Sequence, residues 1–421
     1  TMTLPTRRSF LAGSAAGWLL LSQGPHASPN ERARHAVIGC GGQGRAHGHA
    51  FANQPHCAVV AVCDVDPARR AEALKDLPSP ESVAQHEDYR RIIEDPSIDT
   101  VSIATPDHWH TPIALAALQA GKHVYVEKPC CHTLREGALL VEAARQSKGC
   151  VQHGTQSRGG QGIRDAIQFL REGRLGRVRM AKAINHQYRA PIGRAPDESP
   201  PPGVNYDLWL GPAPQRPFSR NRWHYNWHWH WDYGTGDLGN DGIHQVDVAR
   251  WGLGVEWPRV VTASGGQLFY NDDHETPDTQ VVTFEYSDCF LMYEMRLWTN
   301  YPLEGHDNGV IFYGDKGILE IGRHGCEVTW IGQEKKKIGG GADLGEHVRN
   351  FLECARTGDT ERLYAPIHEG YLSAALCHLG NIATRVAARL EYDPLTQTFK
   401  NHPGADRLVS KAYRQGYELP L

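Results

Sequence analysis

The chain has 421 residues, 40% hydrophobic and 22% charged, with a formal net charge of −4. Such a length exceeds what one core ordinarily organises and predicts two domains. The slightly acidic balance offers no basic face for nucleic acid or an anionic membrane, and no apolar run reaches the ~20 residues of a membrane span. None of the ten cysteines forms a CxxC pair, and most sit in apolar runs such as "AVVAVCDV". They read as small core residues, not as a zinc ribbon or a disulfide framework.

Residues 1–28 stand apart in composition. "TRRSFLAGSAAGWLLLSQGPHAS" carries twin arginines, Arg7 and Arg8, then Phe10-Leu11, an apolar stretch from Ala12 to Leu21, and the small residue Ala27. That order predicts a Tat-type export signal and not an anchor, because the stretch is short and rich in Gly and Ser. The mature protein is then expected in the periplasm, exported folded and free of the membrane.

Residues 33–154 read as a doubly wound α/β domain. "RHAVIGCGGQGRAHGHAFA" places a short β-type run before Gly39, Gly41 and Gly44, with Gly42 and Gln43 between them, and a helical pattern follows. The G-x-G-x-x-G spacing supplies a tight turn, close backbone approach to a pyrophosphate, and close helix–strand packing. Phosphates sit well at such a helix N-terminus. The next run, "CAVVAVCDVD", brings Asp64 20 positions beyond Gly44. A carboxylate there accepts from ribose hydroxyls and repels a 2′-phosphate, which favours NAD; Arg69 and Arg70 nearby keep NADP open. The strands "IDTVSIATP", "KHVYVEKP" and "CVQHGTQSR" alternate with the helical runs "HTPIALAALQAG" and "LREGALLVEAARQSKG". Ligands bind beyond the C-terminal ends of parallel strands. Thr105, Pro106, His108, Trp109, His110, Glu127, Lys128, Gln156 and Arg158 all fall at those ends, most of them as cofactor-binding candidates.

From 155 to 335 the pattern changes to alternating runs such as "PDTQVVTFEYSDCFLMYEMRL" and "GVIFYGDKGILEIG". They predict an α+β domain with an open, mostly antiparallel sheet and helices on one face. Helices and a tail over 343–421 complete the chain. The proline-rich stretch "APDESPPPGVNYDLWLGPAPQRPF" reads as an ordered surface loop anchored by Trp209 and Leu210. In "NRWHYNWHWHWDYGTGDLGNDGIHQVDVARW", Trp227, Trp229 and Trp231 alternate with His228 and His230 as on a strand. Tryptophan on one side of a strand is most often core, but aromatic faces also suit sugar rings and His or Asn suits their hydroxyls. Arg158, Trp229, His230, Tyr233 and Asp241 are therefore substrate-binding candidates. A metal site from His224, His228, His230 and Asp232 lacks any known ligand spacing, and no metal is expected.

Together "GCGGQG", "CDVD", "ATPDHWHTPIALAALQAGKHVYVEKP" and "GNDGIHQVDVARW" resemble the glucose–fructose oxidoreductase / inositol dehydrogenase / rhizopine catabolism (Gfo/Idh/MocA) family over about residues 33 to 390. The resemblance implies a Rossmann domain followed by a substrate domain, with the EKP lysine, here Lys128, beside the nicotinamide and the reacting hydroxyl. It implies that His244 exchanges a proton with that hydroxyl. Many members carry Asp one turn earlier, where this chain has Asn240; Asn binds a hydroxyl but takes no proton, so Lys128 and His244 form the expected acid–base pair. The implied activity is an NAD(P)-dependent sugar oxidoreductase, with the cofactor tightly held because no free NAD pool exists outside the cytoplasm. The alternative is a glycoside hydrolase or epimerase working through a transient keto-sugar. Related NAD-dependent glycosidases lack the EKP lysine and carry a Gly-rich loop with a catalytic His, whereas "KKKIGGGADLG" has none. A non-catalytic sugar sensor would not need both Lys128 and His244. A homodimer or homotetramer through the second domain's sheet is also implied.

Overall fold

The computed structural model describes residues 32–323 and 325–419. The expected leader, residues 1–28, lies outside them. Six short strands open the fold: β1 (Ala33–Ile38), β2 (Cys57–Cys63), β3 (Ala84–His86), β4 (Thr100–Ile103), β5 (His123–Val126) and β6 (Val151–His153). They form one parallel sheet in the order β3-β2-β1-β4-β5-β6. Helices α1 (Gly42–Ala52), α2 (Pro67–Lys75), α3 (Arg90–Glu94), α4 (His110–Gln119) and α5 (Leu134–Gln146) connect them. All four residues of β4 and the last four of β1 are buried. Covered on both faces, such strands read as unbroken apolar runs without alternation. Strand order reverses between β1 and β4, and the crevice at that switch point is where a ligand belongs.

After α6 (Gln161–Arg171) the chain builds an eight-stranded sheet. Its strands are β7 (Val178–Asn185), β8 (Val260–Gly266), β9 (Thr279–Glu285), β10 (Phe290–Arg296), β11 (Asn308–Gly314), β12 (Gly317–Gly322), β13 (Gly325–Trp330) and β14 (Lys336–Gly339). The order is β14-β13-β12-β11-β7-β10-β9-β8, with β7–β10 the one parallel pair. In β9, Gln280, Val282 and Phe284 are buried while Val281 and Glu285 are exposed, the period of a sheet covered on one face. The segment read as a Gly-rich loop supplies the edge strand β14, so the sheet runs past residue 335.

The covered face carries α8 (Ile243–Leu253) and α10 (Ile367–Val386); α9 (Leu344–Thr357) packs on α1 of the first domain. Helix α10 also packs on α5, so one apolar cluster is continuous through both domains. The proline-rich stretch contains a short helix, α7 (Tyr206–Leu210), capped by Asn205, whose Oδ1 accepts from the Leu208 amide. Trp209 and Leu210 are buried, as an anchored loop requires. Residues 226–229 form a 3₁₀ turn where the alternation predicted a strand. Alternation fails here because aromatic residues are dense enough to mimic any period. All ten cysteines are free.

Candidate active site

The reversal of strand order opens a cavity of about 350 Å³ lined by both domains. At one end lies the glycine-rich turn. Gly39 has φ +90°, and a Cβ there would fall 2.5 Å from the Ala104 oxygen. A Cβ on Gly44 would fall 1.7 Å from the Gly39 oxygen, so α1 can lie against β1 only with glycine at this position. Gly41 and Gly42 face open space. The N-terminus of α1 has no side-chain cap and no acidic residue in its first turn, so its amides and positive dipole end are left for an anion. Beside it, Asp64 Oδ2 accepts from the Cys40 amide at 2.7 Å and Oδ1 from the Asp66 amide at 2.9 Å. Burial raises the Asp64 pKa, although these two amides oppose the shift. The donor set fits a dinucleotide: open amides for a pyrophosphate and a carboxylate at the ribose position.

At the other end, two strand-end turns are tied together. The His110 ring nitrogens lie 2.8 Å from the Thr105 oxygen and 2.6 Å from the Pro129 oxygen, and whichever carries the proton donates. Glu127, buried at the end of β5, takes contacts from Gln43 Nε2 and His47 Nε2 at 2.9 Å each. Burial pushes the Glu127 pKa up, but the His47 contact and the Lys128 charge outweigh it and hold the carboxyl well below its ordinary range. With both neighbours fixed, Lys128 projects into the cavity, and its Nζ donates to Asn240 Oδ1 at 3.4 Å. Asn240 Nδ2 in turn donates to Asp237 Oδ1 at 2.9 Å. Asn240 stands in a π-helical turn, Leu238–Gly242, that leads into α8.

Of the sequence candidates, Gly39, Gly41, Gly42, Gln43, Asp64, Thr105, Pro106, Trp109, His110, Glu127, Lys128 and Asn240 line this one cavity. His108 is fully buried, with Nε2 3.0 Å from the Trp209 oxygen. Gln156 sits in the 3₁₀ turn Gln156–Gly159, outside the lining. His244, at the start of α8, also stands outside it; burial, reinforced by the charge of Lys128, pushes its pKa down to about 4. Arg158 is buried in an ion pair with Asp247, 2.9 Å away. Trp229 and Tyr233 are fully buried core residues. His230 is buried too, with Nε2 2.8 Å from the Asn221 oxygen. Asp241 accepts from Gln187 and Asn308 beneath the site. Among the described residues no group of three or more His, Cys, Asp or Glu is arranged to hold a metal ion.

Residues 33–155 match the NAD-binding Rossmann fold of the GFO/IDH/MocA oxidoreductase family, and residues 191–419 match that family's C-terminal alpha/beta domain. The chain belongs to this family. Levoglucosan dehydrogenase of Pseudarthrobacter phenanthrenivorans is 28% identical over 226 residues, 52% of this chain and 50% of the relative. A glycosyl hydrolase family 109 protein of Saccharopolyspora erythraea is 35% identical over 130 residues, 29% of this chain and 28% of the relative. In these alignments the chain spans half or less of the curated relatives' length. A levoglucosan dehydrogenase solved in complex with NADH and L-sorbose superposes with a TM-score of 0.66 at 18% identity, covering 86% of this chain and 99% of the other. At that identity it speaks for the fold alone.

The GFO/IDH/MocA motifs did not reveal the opposite wall. Leu208, Trp209, Trp223, His224, Tyr225, Trp227 and His228 of the second domain also line the cavity. The aromatic density of that stretch is the one sequence signal for them. It pointed to Trp229 and His230, because a strand period was assumed where the chain turns.

Proposed function

We propose that this protein is an exported, NAD-dependent oxidoreductase acting on a CH–OH group of a sugar or sugar derivative. One observation carries the reading: a single cavity runs from the open amides of α1 and Asp64 to the Lys128–Asn240 pair. Bound NAD supplies a hydride acceptor for the alcohol carbon, or a donor in the reverse direction. The chain's own groups handle the rest. The Lys128 ammonium donates to the reacting oxygen and stabilises charge there as the proton leaves. Asn240 holds Lys128 and, being an amide, takes no proton. The hydroxyl proton passes to the imidazole of His244, which is neutral at physiological pH and stands just behind the cavity lining at the start of α8, within the field of the Lys128 charge. The C–H and O–H bonds break, a carbonyl forms, and two electrons leave with the hydride.

The twin-arginine leader supports export by the Tat pathway to the periplasm. Without a free NAD pool there, the cofactor stays bound and is recycled within the site, by a second substrate or by transient oxidation. A homodimer or homotetramer through the outer face of the eight-stranded sheet accompanies this reading. The test is direct. Mass spectrometry of the denatured purified protein is expected to find about one nicotinamide dinucleotide per chain, a retention that needs a dissociation constant far below micromolar. A panel of sugars and glycosides is expected to change absorbance at 340 nm. An empty protein that reduces no NAD with any of them refutes the proposal. Released aglycone without net redox change would favour a hydrolase instead, the reading suggested by the family 109 relative.

A further inference from the structure

His228 lies on the cavity wall opposite the dinucleotide turn, in the 3₁₀ turn Asn226–Trp229. Its ring is held on two sides, stacked on Trp227 at 3.6 Å and 4.7 Å from Tyr225. Nδ1 is 2.5 Å from the Tyr225 carbonyl oxygen. A carbonyl has no proton to give, so Nδ1 carries the hydrogen and donates it. In a neutral imidazole that leaves a lone pair on Nε2. The ring is neutral across the physiological range: burial, then the nearby positive charge of Lys128, push its pKa down to about 3, and Arg189 and His110 act in the same direction. Among the described residues Nε2 has no hydrogen-bond partner, yet it is not sealed off in the interior. His230, two residues on, turns the other way: its Nε2 is taken up by the Asn221 oxygen at 2.8 Å, and its Nδ1 is sealed in the interior.

The cavity therefore presents two complementary polar groups. Lys128 can only donate; His228 Nε2 can only accept. We propose that His228 is a specificity-determining residue, whose Nε2 accepts a hydrogen bond from a second hydroxyl of the substrate while Lys128 holds the reacting oxygen. This selects polyhydroxylated substrates and disfavours simple secondary alcohols, since an alcohol with one hydroxyl leaves the imidazole lone pair dry and unmatched. The inference rests on the carbohydrate oxidoreductase reading above.

The experiment compares wild type, His228→Gln and His228→Leu, each loaded with NAD. The probes are D-glucose, myo-inositol, methyl β-D-glucopyranoside and their monodeoxy analogues. Binding is followed by tryptophan fluorescence and oxidation at 340 nm. Gln keeps an acceptor near the Nε2 position; Leu keeps bulk without one. The expected result is a roughly 10-fold or larger loss of kcat/KM in His228→Leu on the preferred polyol, largely in KM. Rescue by His228→Gln to within a few-fold is expected, with dinucleotide affinity unchanged. One deoxy analogue should be poor with wild type and no poorer with His228→Leu. Equal behaviour of Leu and wild type, or Gln as impaired as Leu while both unfold at the wild-type temperature, overturns the inference and leaves the oxidoreductase reading standing. A wild type that binds and oxidises none of the probes sinks both.

Discussion

Asp107 shows how far burial can move a side chain that the sequence motif alone makes look ordinary. It lines the cavity, is almost fully buried, and accepts from Thr235 Oγ1 at 2.7 Å. Burial raises its pKa to about 7, with Thr235 and Lys128 opposing. A carboxyl whose folded pKa exceeds its unfolded value binds protons on folding. Its contribution is complete below the unfolded value near pH ~4 and is lost as pH rises through 7. Asp107→Asn keeps an acceptor for Thr235 and removes the titration. We expect the wild type's melting temperature, relative to the variant, to fall between pH 4.5 and 7.5 and then level off; a constant difference across that range would mean the carboxyl is ionised throughout. Lys128 bears the companion prediction. Lys128→Met is expected to lower single-turnover hydride transfer by roughly 10²-fold or more, with dinucleotide occupancy and melting temperature little changed, because its ammonium reaches into the cavity. Turnover within a few-fold of wild type would make the EKP turn structural. Lys128, Asp64 and the glycines could be read from sequence because strand ends in a parallel sheet have only one place to converge. Asp107 and His228 could not, since their properties come from burial by residues about a hundred positions away.

The second domain's segment 203–235 contributes a wall of the cavity and is pinned along the first domain. The Asn205 amide donates to the Val65 oxygen at 3.3 Å, and Asn205 Nδ2 to Glu87 Oε1 at 2.6 Å. His224 Nε2 lies 3.3 Å from Asp66, and Trp109 Nε1 donates to the Trp209 oxygen at 3.0 Å. On the outside, Arg414 from the tail donates to Asp207 at 2.5 Å. Because this segment forms one wall and the glycine-rich turn the other, loosening it is expected to speed dinucleotide release. Asn205→Asp preserves the helix cap, since a carboxylate still accepts from Leu208, but sets like charge against Glu87. Exchange of bound NADH against excess NAD, followed by nucleotide fluorescence, is expected to quicken about 10-fold, the equivalent of about 1.4 kcal/mol. An unchanged exchange rate would show that this segment does not limit release. Proline and glycine here announced a loop correctly; that the loop walls a site in the other domain is a tertiary fact without a local signature.

At the scale of the whole molecule, the chain that leaves the first domain is pinned to the helices of the second by a buried charge cluster. Arg158 leaves the first domain just after β6, and its Nε and Nη2 meet Asp247 on α8 at 2.9 Å each, while Nη2 also reaches Glu369 on α10 at 3.3 Å. Arg250 bonds Glu369 from the same side, and Ser373 Oγ donates to Asp247 Oδ1 at 2.7 Å. Arg158 and Asp247 are both buried, so neither can be left alone at low cost. Burial alone would raise the Asp247 pKa, but Arg158 outweighs it and holds the carboxyl at about 2. Sequence made Arg158 look like a ligand group because it follows a strand end, as a binding residue would. The structure turns it inward because three chain segments converge there and bury it against two carboxylates. Asp247→Asn leaves Arg158 buried with one charge partner fewer and is expected to destabilise the fold by about 3–5 kcal/mol, read as a lower urea midpoint with an unchanged slope. The sign with pH follows from the depressed pKa: this pair's contribution is whole above the unfolded value near pH ~3.9 and is lost as pH falls through about 2. The wild-type advantage over Asp247→Asn should therefore hold from neutral pH down to about pH 4 and shrink below it. An Asp247→Asn protein as stable as wild type at pH 7 would show that the domains are held by the shared apolar core of α5, α8 and α10, with the charge cluster contributing alignment only.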